Sequence, residues 1–158
     1  MSTLQRHTPL KAKRAKPRTY KTPRCSRQRC EKAARINGWC ESHAEREADR
    51  LFSLYIRRRD QGCTGAAVFP EMPCWGDLQA AHIEPRGNHS TRFDPDDVWT
   101  LCEAHHSKVD RGSRHAAKAR WAVHVLGIER YHELIERAAL TTPRTVAIQQ
   151  ALSWLEAA

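Results

Sequence analysis

Six cysteines stand at positions 25, 30, 40, 63, 74 and 102, and two of them have a histidine three residues downstream: Cys40 with His43, and Cys102 with His105. A Cys-x2-His step brings a thiolate and an imidazole to one ion, the local geometry of a zinc knuckle. Taken in order, the residues form two sets of four: Cys25, Cys30, Cys40 and His43, then Cys63, Cys74, Cys102 and His105. Each is a Cys3His donor set suited to closed tetrahedral zinc, and no cysteine is left over. The first set, C-x4-C-x9-C-x2-H, is compact. In the second, the stretch TGAAVFPEMP between Cys63 and Cys74 has to loop out. Three disulfides would satisfy the same count, but nothing marks the chain as secreted, and no apolar run of a signal peptide follows Met1. The expectation is two structural Zn2+ ions.

A third constellation overlaps the second set. His82 is followed by Asp97 and then by His106, within AAHIEPRGNHSTRFDPDDVWTLCEAHHSKVDRG (80–112). A histidine on a short strand, a polar residue opening the next strand and a histidine on the following helix can converge on one metal ion. Cys102 and His105 directly precede His106, so the second zinc would fix the helix that carries it.

This stretch resembles the HNH (ββα-metal, His-Me finger) nucleases, whose pattern is His, then Asn after fourteen residues, then His after eight more. Here Asp97 stands at the middle position. The segments FSLYIRRRDQGC (52–63), RGNHSTRF (86–93) and LGIERYHELIERA (126–138) resemble the phage NinG/Rap recombination endonucleases. That likeness spans roughly residues 50 to 158. The 25–43 segment is similar to small zinc knuckles found ahead of other phage HNH domains.

The resemblance implies roles. His82 would be the general base that takes a proton from water, and His106 would bind a catalytic divalent ion, Mg2+ or Mn2+. Asp97 would either ligate that ion or orient His82. The chemistry needs an ion because phosphodiester hydrolysis builds charge on oxygen and expels a poor leaving group. Arg86 and Arg92 flank the constellation as phosphate clamps. Two positions depart from the patterns. Many HNH enzymes have a metal-binding Asp where this chain has Ala81, and the NinG-like pattern tends to have Asn where this chain has His106. A replacement ligand would then come from His82 itself, His89, Glu84 or Asp94.

Charge points the same way. Residues 1–24 hold eight Lys and Arg and no acid, whereas the other 134 residues hold 19 basic and 18 acidic side chains. A basic arm on a near-neutral body suits a polyanion, nucleic acid before an anionic membrane. No apolar stretch is long enough to span a bilayer. Arg57, Arg58 and Arg59 close a helical pattern where they complement its dipole and are further candidates for phosphate contact.

The elements that must position these residues follow from periodicity. After the flexible arm (1–24) and the knuckle (25–43), a linking helix is expected over 44–61. Its apolar stripe is Ala48, Leu51, Phe52, Tyr55 and Ile56. The nuclease core, 62–115, holds strand-like LQAAHI (78–83) and VWTL (98–101), then a helix from Glu103 to about Val109. C-terminal helices occupy 116–158: one with a stripe of Ala117, Trp121, His124 and Val125, and one with Ile128, Tyr131, Leu134, Ile135 and Ala138. The last has Thr142 as N-cap and Pro143 as first residue. Trp75, Trp99 and Trp121 are expected to pack a small core.

The expected fold class is a small zinc-stabilised α+β chain with an N-terminal knuckle and additional helices, around what the resemblance implies is a ββα-metal core. The function the resemblance implies is a metal-dependent DNA endonuclease acting in phage recombination or on branched DNA, such as Holliday junctions or flaps, in the cytoplasm of a bacterial host. Symmetric junction cutting would favour a homodimer, and phage recombination or packaging proteins would be its partners. Two alternatives remain: a packaging-associated HNH nicking enzyme, and a non-catalytic zinc-finger nucleic-acid-binding protein on a degenerate HNH scaffold.

Overall fold

The structure is a computed structural model that describes residues 22–110 and 114–157. The basic arm, through Lys21, lies outside the described residues, as do Arg111 and the side chain of His115. Residues 22–40 form a knuckle held by two isolated bridges, Arg24 with Ala33 and Ile36 with Trp39. The elements that follow are α1 (Glu41–Asp60), β1 (Leu78–His82), β2 (Val98–Cys102), α2 (Glu103–Asp110), α3 (Arg114–Leu126), α4 (Ile128–Ala138) and α5 (Arg144–Ala157). The chain is thus a small α+β protein, with one two-stranded sheet and five helices among the described residues.

Helix α1 starts three residues before the periodicity suggests. Cys40 is its N-cap, and the Ala44 N–H already bonds the Cys40 carbonyl. The first turn therefore carries the knuckle's last two donors, Cys40 and His43, and the metal set extends the helix backward. Gln61 ends it in the left-handed region (φ 56°). Ala44, Ala48, Phe52 and Ile56 recur every fourth residue and are buried as one stripe. The upper part meets Ile148, Ala151 and Leu152 of α5, and the lower part meets the hairpin.

β1 and β2 are antiparallel, with Leu78 opposite Cys102 and His82 opposite Val98. Strand alternation sends Ala80, His82, Val98 and Thr100 toward α1, and Gln79, Ala81, Trp99 and Leu101 toward the opposite side. There Ala81 and Leu101 pack with Val109 of α2, Trp121 of α3, Leu134 of α4, and Val68 and Phe69 from the 63–74 loop. Helices thus cover the hairpin on both faces, which is why neither strand carries a charged residue before its terminal histidine or cysteine.

Several expectations about packing are corrected. Trp121 is fully buried and Trp99 packs partly, but Trp75 is 58% exposed, because it follows the surface ligand Cys74 outside both covered faces. On α3 it is Ala122, not His124, that turns inward. On α4 only Leu134 is buried, and Ile128 and Ile135 face outward because a single helix edge touches the core. α5 begins at Arg144, one residue after Pro143. No helix among the described residues is long and apolar enough to cross a membrane.

Candidate active site and metal centres

Both cysteine–histidine sets close. In each, the four ligand atoms lie within 4.8 Å of one another. In the first, Cys25 Sγ and Cys40 Sγ are each 3.3 Å from His43 Nδ1, and Cys30 Sγ is 3.8 Å from Cys40 Sγ. Zinc–sulfur bonds of about 2.3 Å and zinc–nitrogen bonds of about 2.0 Å give tetrahedral edges near these separations. In the second, His105 Nδ1 lies 3.4 Å from Cys63 Sγ, 3.6 Å from Cys74 Sγ and 3.0 Å from Cys102 Sγ. Two Cys3His clusters can therefore hold two structural metal ions.

The second cluster joins four separate pieces of chain: the turn after α1, the 63–74 loop, the end of β2 and the first turn of α2. His105 Nε2 faces the Phe69 carbonyl at 3.5 Å, which leaves Nδ1 as the ligating nitrogen. The Cys102 N–H donates to Cys63 Sγ at 3.2 Å. Burial alone would raise the Cys102 thiol, but hydrogen bonds from the His105 backbone and ring, among others, bring it down to about 6. In the same set, burial and the neighbouring Cys102 and Cys63 push the Cys74 thiol up to about 11, so it is metal binding that must take the proton off that sulfur. Gly65 sits directly under the His105 ring, where a Cβ would stand 2.8 Å from the His105 Cβ and 2.9 Å from its Cγ. The looped-out stretch is thus a lid that only glycine lets close over the imidazole.

His82 ends β1 on the α1 side, in a small cavity of about 90 Å³ lined by Asp49, Phe52, Ser53, Ala80, Arg86, Arg92 and Val98. Its Nε2 lies 3.1 Å from the Arg92 carbonyl, which can only accept. The ring proton therefore sits on Nε2, and Nδ1 presents its lone pair without a partner among the described residues. Burial, and then the positive charges of Arg86 and Arg92, lower His82 to about 4. At neutral pH it is an uncharged imidazole.

Asp97 is fully buried at the mouth of the hairpin. Its backbone carbonyl accepts the Ile83 N–H at 2.8 Å, and its Oδ1 accepts the Glu84 N–H at 2.6 Å. These two bonds fasten the chain immediately after His82 to the start of β2. The Asp97 Oδ2 has no partner among the described residues. Burial first, then the nearby Glu84 and Asp94 carboxylates, raise Asp97 to about 8.

His106 lies on α2, on the other side of the hairpin from His82. Its Nδ1 is 2.7 Å from Gln79 Oε1 and its Nε2 is 3.1 Å from Asp110 Oδ2. Among the described residues, the two cysteine–histidine sets are the groups of three or more donors that meet the 4.8 Å separation, so Asp97 and His106 do not close a third such cluster with a neighbour. Asp110 also meets Lys118, whose ammonium donates to the His82 carbonyl at 3.2 Å. Lys118, Asp110 and Glu84 line a larger cleft of about 630 Å³ on this side. The alternative ligands divide. Glu84 is in that cleft, Asp94 is paired with Arg137, and His89 has a buried, unpartnered Nδ1.

The candidate phosphate-binding arginines have different fates. Arg59 donates to the Pro95 and Val98 carbonyls, pairs with Asp60 and stacks 4.1 Å over Trp99, so it ties α1 to the hairpin. Arg57 donates to Ser53 Oγ, one turn back on its own helix. Arg58 is exposed. Arg86 and Arg92 do reach the His82 cavity, but both hold Asp49: Arg86 Nη2 at 2.6 Å, and Arg92 through Nε at 3.1 Å and Nη2 at 2.9 Å.

Asp49 is the site residue that the spacing did not single out. Its only sequence signal is the four-residue step Glu45–Asp49, which places two acids on one side of a helix that must face the basic 86–92 loop. No known family, curated protein or solved structure matches the chain.

Proposed function

We propose that this chain is a zinc-stabilised endonuclease of the HNH (ββα-metal) kind that hydrolyses DNA phosphodiester bonds, with His82 as general base. The observation that carries the reading is the state of His82. Its Nε2 proton is held by the Arg92 carbonyl and its Nδ1 is bare, in a cavity it shares with two guanidiniums. A neutral imidazole can deprotonate water, and paired guanidiniums bind a phosphodiester anion. The β1–β2–α2 order, locked by a metal cluster that spans β2 and α2, agrees with the resemblance.

In this mechanism an incoming phosphate displaces the Asp49 carboxylate from Arg86 and Arg92. Its negative charge takes over the offset that the Asp49 carboxylate gives His82 against the two guanidiniums, so the imidazole stays a neutral proton acceptor when substrate is seated. Water beside Nδ1 then gives up its proton to His82. Asp97 fixes the backbone on which His82 stands. A Mg2+ or Mn2+ ion would supply stabilisation of charge on the phosphate and leaving oxygens. His106, the donor the resemblance implies for it, stands with Asp110 across the hairpin from the arginine clamp, so holding an ion beside this phosphate would require α2 to shift toward the clamp. Branched DNA of phage recombination is the proposed substrate, with packaging-type nicking as the alternative.

The test compares cleavage of labelled duplex, single-stranded, flap and four-way-junction DNA, with Mg2+, with Mn2+ and without either. His82→Ala is assayed beside it after its zinc content is confirmed. Ion-dependent cutting that is lost in His82→Ala is expected, and the preferred substrate separates junction resolution from nicking. Tight binding without cutting under any ion would sink the mechanism. It would leave the non-catalytic reading, which Asp49 favours by already filling the arginine clamp.

A further inference from the structure

Most guanidiniums on the body of this protein are committed. Arg50, Arg59, Arg86, Arg92, Arg130, Arg137 and Arg144 are each ion-paired with a carboxylate. The knuckle is different. Arg24, Arg27, Arg29, Lys32 and Arg35 are all exposed, and none makes a side-chain hydrogen bond or an ion pair among the described residues. Glu31 is the only acid in that segment. The metal set confines these cations: Arg24 and Arg29 directly precede the ligands Cys25 and Cys30, and Arg27 lies between them. Zinc with three thiolates and a neutral imidazole carries a single negative charge, so the loaded unit stays strongly positive.

We propose that the exposed face of the knuckle is a second nucleic-acid surface, distinct from the His82 cavity, that binds the phosphate backbone of duplex DNA. This rests on the nucleic-acid reading above but not on hydrolysis. Unpaired cations on a rigid, metal-pinned frame are complementary to a duplex backbone and release counterions when they bind it. Single strands are bound by stacking on exposed aromatics, and the knuckle offers none: its one aromatic, Trp39, is packed against the Ile36–Ala44–Ile148 cluster. Lys32 and Arg35 also border a groove against the first turn of α1, where Arg144 is neutralised by Glu41 and Glu45, so the unpaired positive charge stays on the knuckle.

The experiment uses the full zinc-loaded chain with His82→Ala, so that binding is read without cleavage. Affinity for a short duplex and for its single strand is measured across salt. The parent is compared with Arg27→Gln/Arg29→Gln/Lys32→Gln/Arg35→Gln. A charge-matched control, Arg46→Gln/Arg50→Gln/Lys108→Gln/Arg120→Gln, removes as many charges elsewhere. Each lost phosphate contact lowers the salt slope by about 0.9, so the affinity drop between about 50 and 200 mM salt would shrink by up to about a hundred-fold in the knuckle variant. The control would keep the parent slope. Equal loss in the control, an unchanged slope in a knuckle variant that keeps both zinc ions, or a parent preference for single strands overturns this surface. A parent that binds no DNA overturns the nucleic-acid reading itself.

Discussion

Replacing Asp97 with asparagine should change stability in a way that depends on pH. Asp97 ionises at 3.8 in an unconstrained chain and at about 8 in the fold, because burial and the neighbouring Glu84 and Asp94 oppose its charge. The folded state therefore holds a proton that the unfolded state has lost. Between the two values stability falls as pH rises, by about 1.4 kcal/mol per pH unit, and it levels off above the folded value. From about pH 6 to pH 9 the wild type should lose roughly 2.5–3 kcal/mol through this group alone. The amide of Asp97→Asn does not titrate. It keeps the acceptor for the Glu84 N–H, and its NH2 takes the place of the unpartnered Oδ2 hydroxyl of the protonated acid. The stability of Asp97→Asn relative to wild type should thus improve by that amount over the interval. Urea denaturation of both zinc-loaded proteins at several pH values measures it, and the difference cancels the pH dependence of the zinc ligands. A difference that stays constant would mean that Asp97 is ionised throughout, with a positive partner for Oδ2, and would refute the account of this residue as a neutral fastener.

His82 gives the opposite sign. Its folded value of about 4 lies below the ordinary 6.5, so stability is lost as pH falls from about 6.5 toward 4. If the imidazole is the base, the acid limb of kcat/KM should fall near pH 4 in the free protein, and a limb at 6.5 would count against that environment. Elemental analysis should find two zinc ions per chain, with one lost in Cys25→Ser and the other in Cys63→Ser; retention of both in either variant would break the assignment. Gly65→Ala should press on His105, cost on the order of 1–3 kcal/mol and weaken zinc at the second site while the knuckle keeps its own. Equal zinc affinity at the second site would show that the lid has slack.

Legibility in the sequence divided along physical lines. Cysteine and histidine spacing identified both clusters, because a metal closes over donors whose chain separation is short enough to loop, whatever the loop's conformation. The helices and hairpin were visible for a related reason: periods of 3.6 and 2 record which side is covered. What the pattern did not carry was which partner covers a given side. Arg59 sits in a basic run that reads as a phosphate contact, yet the Pro95 and Val98 carbonyls come from across the fold to take its donors. Trp75 reads as core, but the surface ligand before it carries it outward.

The candidate site shows the same division more sharply. The spacing places His82, Asp97 and His106 at the strand end, strand start and helix where reactive groups could stand. It says nothing about their protonation, because protonation is set by burial and by charges that arrive through tertiary structure. A histidine beside two arginines and a buried aspartate beside two acids are pushed in opposite directions, to about 4 and about 8. At neutral pH both are then uncharged: one a proton acceptor with a free lone pair, the other a hydrogen-bonded fastener. Asp49 completes the arrangement, since it meets the charge of Arg86 and Arg92 when no phosphate does. In the proposed mechanism a substrate anion that replaces it would keep that charge balance at His82 while seating the phosphate in the cavity the imidazole lines, through residues far apart in the chain.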